Sequence, residues 1–119
     1  MTYAVRGAIT ARGNSEGEIA FASERLIEKI VEENNIKKNE IVSILCSSTK
    51  DITKSYPAKH IRESGVAGDA VLFSCLEPPI AGDLKYCLRL LVTVNKDKDF
   101  KAKHIYLEGA KVLRPDLEN

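Results

Sequence analysis

Cys87-Leu88-Arg89-Leu90-Leu91-Val92-Thr93-Val94 is the stretch on which the fold turns. Leu88, Leu90, Val92 and Val94 fall on one face of an extended chain, and Cys87, Arg89, Leu91 and Thr93 on the other. Such alternation in leucine- and valine-rich sequence makes this the strongest strand in the chain. Its oddity is Arg89, a cation near the middle of an apolar run. Working outward, Tyr3 to Thr10 repeats the pattern, with Tyr3, Val5 and Ile9 on one face and Ala4, Arg6, Ala8 and Thr10 on the other. Ile41 to Cys46 and Ala70 to Ser74 read as further strands, and Ile105 to Leu113 as a last one, interrupted at Gly109.

Between these lie two helical signals. Ser15 with Glu18 three residues later forms a capping box, and Ile19, Ala22, Leu26, Ile27, Ile30 and Val31 then recur at helical spacing, with Ser23 inside the stripe. This helix ends near Asn34-Asn35. Pro57 at a first helical position, with Gly65 beyond the end, marks a shorter helix carrying Lys59, His60 and Arg62. Ser47-Ser48-Thr49 reads as a polar loop, and Pro78-Pro79 fixes an extended connection. The expected class is therefore α+β: one domain over residues 1–119, a mixed β-sheet of about five strands, and two helices covering one sheet face. The other face needs cover that a second copy of the chain would supply.

Composition narrows the function. At 119 residues, 44% of them hydrophobic, the chain suits one globular domain, and a domain this short gains from self-association. Its net charge of +1 lacks the one-signed field of a general nucleic-acid or membrane-surface binder. Three cysteines, Cys46, Cys75 and Cys87, with no C-x-x-C pair, argue against a disulfide framework. With no signal-peptide pattern at the start, they lead us to expect a cytoplasmic protein. His60 and His104, far apart and without ligands at coordinating spacing, suggest no metal site.

Two residues stand out as chemistry. Arg6 and Arg89 both interrupt apolar strands, and burying an unpaired guanidinium costs several kcal/mol. Either each is paired with an internal carboxylate such as Glu77 or Glu108, with its stem lying along the sheet, or both project into one concave site for an anionic ligand. Glu77 follows a strand end and precedes the rigid Pro-Pro, a position suited to a site rim or to a surface ion pair. Cys75 suits a small core residue better than a nucleophile, since no histidine lies near it in sequence. Tyr106 either packs on its strand or offers a phenol to a ligand. Lys59 and Arg62, three apart, share one face of the short helix.

The order of the segments then becomes recognisable. Val5-Arg6-Gly7-Ala8-Ile9-Thr10, Tyr56-Pro57-Ala58-Lys59 with Ile61-Arg62-Glu63, Ser74-Cys75-Leu76-Glu77, Cys87-Leu88-Arg89 and Val112-Leu113-Arg114-Pro115-Asp116-Leu117 together resemble the monofunctional chorismate mutases of the Bacillus type. The resemblance spans almost the whole chain. It implies a cofactor-free, metal-free isomerase that rearranges chorismate to prephenate in phenylalanine and tyrosine biosynthesis. It further implies a homotrimeric pseudo-α/β-barrel with active sites at the subunit interfaces.

The same resemblance assigns Arg6 to a substrate carboxylate and the ether oxygen, and Arg89 to the centre of catalysis. Glu77 and Cys75 would hold the ring hydroxyl and line the ring, and Tyr106 would bind the side-chain carboxylate. Ser74 stands where the family usually has threonine. Tyr56, in place of the usual phenylalanine, would come with Lys59 and Arg62 from the neighbouring subunit, and Leu113 and Arg114 from a tail that closes the pocket. The chain departs from the family in having only Leu76 between Cys75 and Glu77 and in the Pro78-Pro79 pair, while the spacing from Glu77 to Arg89 is as expected. Two other readings stay open: a small trimeric deaminase of the reactive-enamine type, which also uses a strand arginine, and a noncatalytic sensor of an aromatic-pathway carboxylate.

Overall fold

The computed structural model describes residues 1–114. Strands β1 (Thr2–Thr10), β2 (Ile41–Ser48), β3 (Val71–Leu76), β4 (Cys87–Asn95) and β5 (Ile105–Leu107) form one sheet in the order β3-β2-β4-β1-β5. The leucine- and valine-rich β4 lies at the centre, antiparallel to both β1 and β2. The edge strands β3 and β5 run parallel to their neighbours.

Helices α1 (Glu16–Glu33) and α2 (Pro57–Ser64) cover one face of this sheet. The Ser15 hydroxyl accepts from the Glu18 amide at 3.1 Å while the Glu18 carboxylate accepts from the Ser15 amide at 3.3 Å, so the capping box closes as the sequence suggests. α1 buries Ile19, Ala22, Ser23, Leu26, Ile27 and Ile30 against the sheet. Ser23 is accommodated because its hydroxyl donates to the Ile19 carbonyl at 2.7 Å. Helix and strand are in close contact at Gly7, where a Cβ would lie 2.5 Å from Ile30 Cδ1. α2 starts on Pro57 and stops at Gly65, which adopts the left-handed conformation with φ 77°.

Asn34 caps the end of α1 and is 5% exposed. Its side-chain amide donates to the Ile30 and Lys103 carbonyls at 2.9 and 3.0 Å, and its oxygen accepts from the Lys103 amide at 2.7 Å. Two of these three hydrogen bonds fix Lys103, in the segment that leads into β5, and the third ties the side chain to its own helix.

Three elements differ from the reading of the sequence, one of them β3, which runs on through Cys75 and Leu76. The last strand ends at Leu107, and Glu108–Leu113 is a 3-10 helix. β5 pairs Gly7 with Ile105, Ala8 with Tyr106 and Ile9 with Leu107, and the ladder stops there although Thr10 still belongs to β1. Glu108 turns the chain with φ 53°, and the Gly109 amide donates to the Thr10 hydroxyl at 2.9 Å. Conversely, Ser47 and Ser48 belong to β2 rather than to a loop. They pair with Cys75 and Leu76 of β3, and the Glu77 amide continues that ladder to the Ser48 carbonyl at 2.9 Å.

Candidate active site

The sheet face away from the helices carries Arg6, Cys75, Arg89 and Tyr106, whereas Ser74 pairs with the buried Cys46 on the other face. Because the strands are in register, Cys75, Ser47, Arg89, Ala8 and Tyr106 form a single row across all five strands, from β3 to β5. Arg6 lies one row on, opposite Leu91. Neither arginine is in the core: Arg6 is exposed, and the Arg89 side chain is 38% exposed. The burial cost that made them conspicuous in sequence is therefore avoided by placing both on the uncovered face.

Arg6, Arg89, Tyr106, Leu113 and Arg114 line one cavity of about 360 Å³, with Ser47 at its wall. Ala8, the small residue between Arg89 and Tyr106, leaves the room. Glu77 reaches Arg89 from the end of β3, its Oε1 3.3 Å from Arg89 Nε, and the same oxygen accepts a short hydrogen bond from the Ser47 hydroxyl. Arg89 Nε is buried, and among the described residues it has no aligned hydrogen-bond acceptor. Glu108, the other candidate partner, instead pairs with Arg12 at 3.5 Å.

The start of β4 is held firmly. The Thr49 hydroxyl accepts from the Cys87 amide at 2.9 Å, and Asp51 accepts from the Thr49 hydroxyl at 2.5 Å and from the Tyr86 amide at 2.9 Å. Arg89, two residues further on, thus projects from a pinned strand.

Ser74, Cys75, Tyr56 and Lys59 line a second cavity of about 580 Å³, which also touches Ser47. Arg62 is exposed on α2 and lines neither cavity. Within one chain, then, Ser74 and Cys75 share a hollow with Tyr56 and Lys59, apart from the hollow lined by Arg6, Arg89 and Tyr106. Cys75 is exposed rather than in the core, because β3 is an edge strand and five of its six residues are exposed. Cys46 and Cys87 are buried, and burial pushes the Cys46 thiol up to about 12 and the Cys87 thiol upward as well. Of the tail motif, Leu113 and Arg114 face the first cavity, whereas Pro115, Asp116 and Leu117 lie outside the described residues.

Two neighbours of the site escaped the sequence reading. Ser47 carries no motif and is recognised only through its register with Arg89. His104 precedes β5, and its Nδ1 accepts from the Arg6 amide at 3.0 Å. Burial, then the nearby Arg6 and Arg114 guanidiniums, hold the His104 ring below the usual histidine range. The distance between His104 and Arg6 in sequence hid this relationship.

A cavity lined by strand-borne guanidiniums and a phenol, with a carboxylate buttressing one guanidinium, has the chemistry to pair with carboxylates. Comparison with known proteins makes this specific: residues 2–117 match the family chorismate mutase type I, and the chain belongs to that family, whose members are isomerases. It is 40% identical to chorismate mutase AroH of Bacillus subtilis (strain 168), over 98% of this chain and 93% of that one. It is 34% identical to chorismate mutase AroH of Thermus thermophilus, over 100% and 98% of the two chains. Its fold resembles the solved chorismate mutase from Clostridium thermocellum with a TM-score of 0.87 and 37% identity, over 92% of this chain and 98% of that one.

Proposed function

We propose that this chain converts chorismate to prephenate, in the context of phenylalanine and tyrosine biosynthesis, with Arg6, Arg89, Glu77 and Tyr106 as the working residues. The observation that carries the reading is the joint placement of Arg6, Arg89, Tyr106, Leu113 and Arg114 around one cavity, with Glu77 against Arg89. Chorismate is a dicarboxylate. Its rearrangement is unimolecular: the ether carbon-oxygen bond breaks as a carbon-carbon bond forms, and no proton has to be moved. The site therefore needs to fix a near-attack conformer and to stabilise charge, and carboxylate clamps by Arg6 and Tyr106 serve the first need.

Negative charge gathers on the ether oxygen as its bond stretches. A guanidinium already in place stabilises that state more than the ground state, and this is the role of Arg89, assisted by Arg6. Glu77 would orient the Arg89 fork and meet the ring hydroxyl. With Nε buried against Glu77, the rest of the partly exposed Arg89 fork is left for the substrate. Ser74 and Cys75 would line the ring, and Leu113 and Arg114 would close the cavity.

The functional unit in this proposal is a homotrimer with sites between subunits. The uncovered sheet face exposes Val71 and Phe73 at 67% each, with Leu45 and Leu91 beside them, an apolar surface of the kind that marks an interface. Tyr56, Lys59 and the α2 residue Arg62, which do not reach the Arg6–Arg89 cavity of their own chain, would then complete that of a neighbour. The decisive experiment supplies chorismate to purified protein without added metal. Prephenate should form far above the uncatalysed rate, and its absence would end the proposal. Specific activity should also fall on dilution as the oligomer dissociates.

A further inference from the structure

We propose that His104 is a positioning residue for Arg6, itself set in place by the buried side chain of Asn34. β5 begins at Ile105, opposite Gly7, so the amide of Arg6 lies just before the parallel ladder starts. The His104 ring supplies the acceptor there, with Nδ1 3.0 Å from the Arg6 nitrogen. The backbone that carries His104 is fixed one residue earlier by the paired hydrogen bonds of Asn34 to the amide and carbonyl of Lys103. A continuous set of contacts thus links the end of α1 to the strand position from which Arg6 reaches into the cavity.

The arrangement requires an unprotonated Nδ1, since only then can it accept from the amide. Among the described residues, the charged groups that act on the ring are Arg6 on β1 and Arg114 beyond the 3-10 helix. Both cations oppose a third positive charge, and burial opposes it further, which keeps the ring neutral at pH 7. Acidification below the usual histidine range would protonate Nδ1, remove the acceptor and place a cation beside Arg6. Arg6 would then lose its setting while Arg89, on β4, kept its own.

The inference rests on the reading of Arg6 as a substrate-binding residue, and the test separates the two. Chorismate KM and kcat are measured for Arg6→Ala, His104→Leu and His104→Asn, with thermal unfolding as a check on folding. An asparagine oxygen can occupy the place of Nδ1 but does not titrate in this range. His104→Leu is expected to raise KM about tenfold with a smaller change in kcat. His104→Asn should restore KM to within about threefold and should lack the acid fall in kcat/KM that the unsubstituted protein shows below the histidine range. If His104→Leu binds as the unsubstituted protein does, or His104→Asn keeps the same acid fall, the positioning role is wrong even though Arg6→Ala weakens binding. If Arg6→Ala itself leaves KM unchanged, the underlying assignment of Arg6 fails.

Discussion

Glu77 Oε1 lies 3.3 Å from Arg89 Nε and at the same time accepts from the Ser47 hydroxyl, so one carboxylate oxygen ties β3, β2 and β4 together at the site. With the Arg89 side chain 38% exposed, this contact is better read as orientation than as stability. Arg89→Ala should lower kcat on the order of 10²-fold or more, and Arg89→Lys should recover little, because a lysine has no planar fork to keep one nitrogen on Glu77 and offer another to the substrate. Ser47→Ala should reduce kcat about threefold to tenfold with an unchanged melting temperature. Steady-state rates of chorismate consumption, set beside Lys59→Ala, check the ranking.

The cysteines should separate by reactivity. Cys75 is exposed, and an alkylating reagent at neutral pH should label it while sparing Cys46 and Cys87 until the protein unfolds. A chorismate-like dicarboxylate should slow that labelling, and Cys75→Ser should keep substantial activity, as expected of a lining residue. Cys46 adds a pH dependence at the alkaline end. Its folded value of about 12 exceeds the ordinary 9.0, so its contribution to stability is complete below pH 9 and is lost as the pH rises toward 12, where the unfolded thiol ionises first. Mass spectrometry of labelled peptides and denaturant melts at pH 8 and 10.5 measure the two effects.

Gly7 should tolerate no side chain without loss. A Cβ there would sit 2.5 Å from Ile30 Cδ1 and 3.1 Å from Leu26 Cδ1, where α1 packs on β1. Gly7→Ala is expected to destabilise by about 1–3 kcal/mol. Ile30→Val deletes the Cδ1 that clashes, so the double variant should be more stable than the sum of the two single changes. Chemical denaturation of the four proteins gives the cycle.

Asn34→Ala removes three hydrogen bonds from a residue only 5% exposed and strands the Lys103 amide and carbonyl. A loss of about 2–3 kcal/mol follows. Hydrogen exchange should quicken first at the Lys103 amide and in β5, ahead of the centre of β4.

The strands and both helices were legible because alternation, the Ser15–Glu18 box and the Pro57–Gly65 pair are local signals. The order β3-β2-β4-β1-β5 was not, since it depends on which distant segments meet. Glu108 shows the limit well: its neighbours alternate as a strand would, yet the chain leaves the ladder at Glu108, where φ is 53° and a 3-10 helix begins. Arg6 and Arg89 were conspicuous as charges among apolar residues, although the structure places them on the uncovered face rather than in the core. Cys75 was misjudged for the related reason that an edge strand looks like a central one in sequence. Ser47 and His104 carried no signal at all, because a serine at a strand end and a histidine in a connection are ordinary, and only register and a hydrogen bond to a remote amide single them out.

The row Cys75, Ser47, Arg89, Ala8 and Tyr106 also has a meaning in time. Ala8 and Tyr106 are adjacent in space but lie near opposite ends of the chain, and no hairpin or helix can form the row by itself. During refolding, α1 can gain its helical signal from local contacts, whereas the row exists only once both parallel edge strands have docked. Catalysis is thus a late event in folding, and the return of activity reports completion of the sheet.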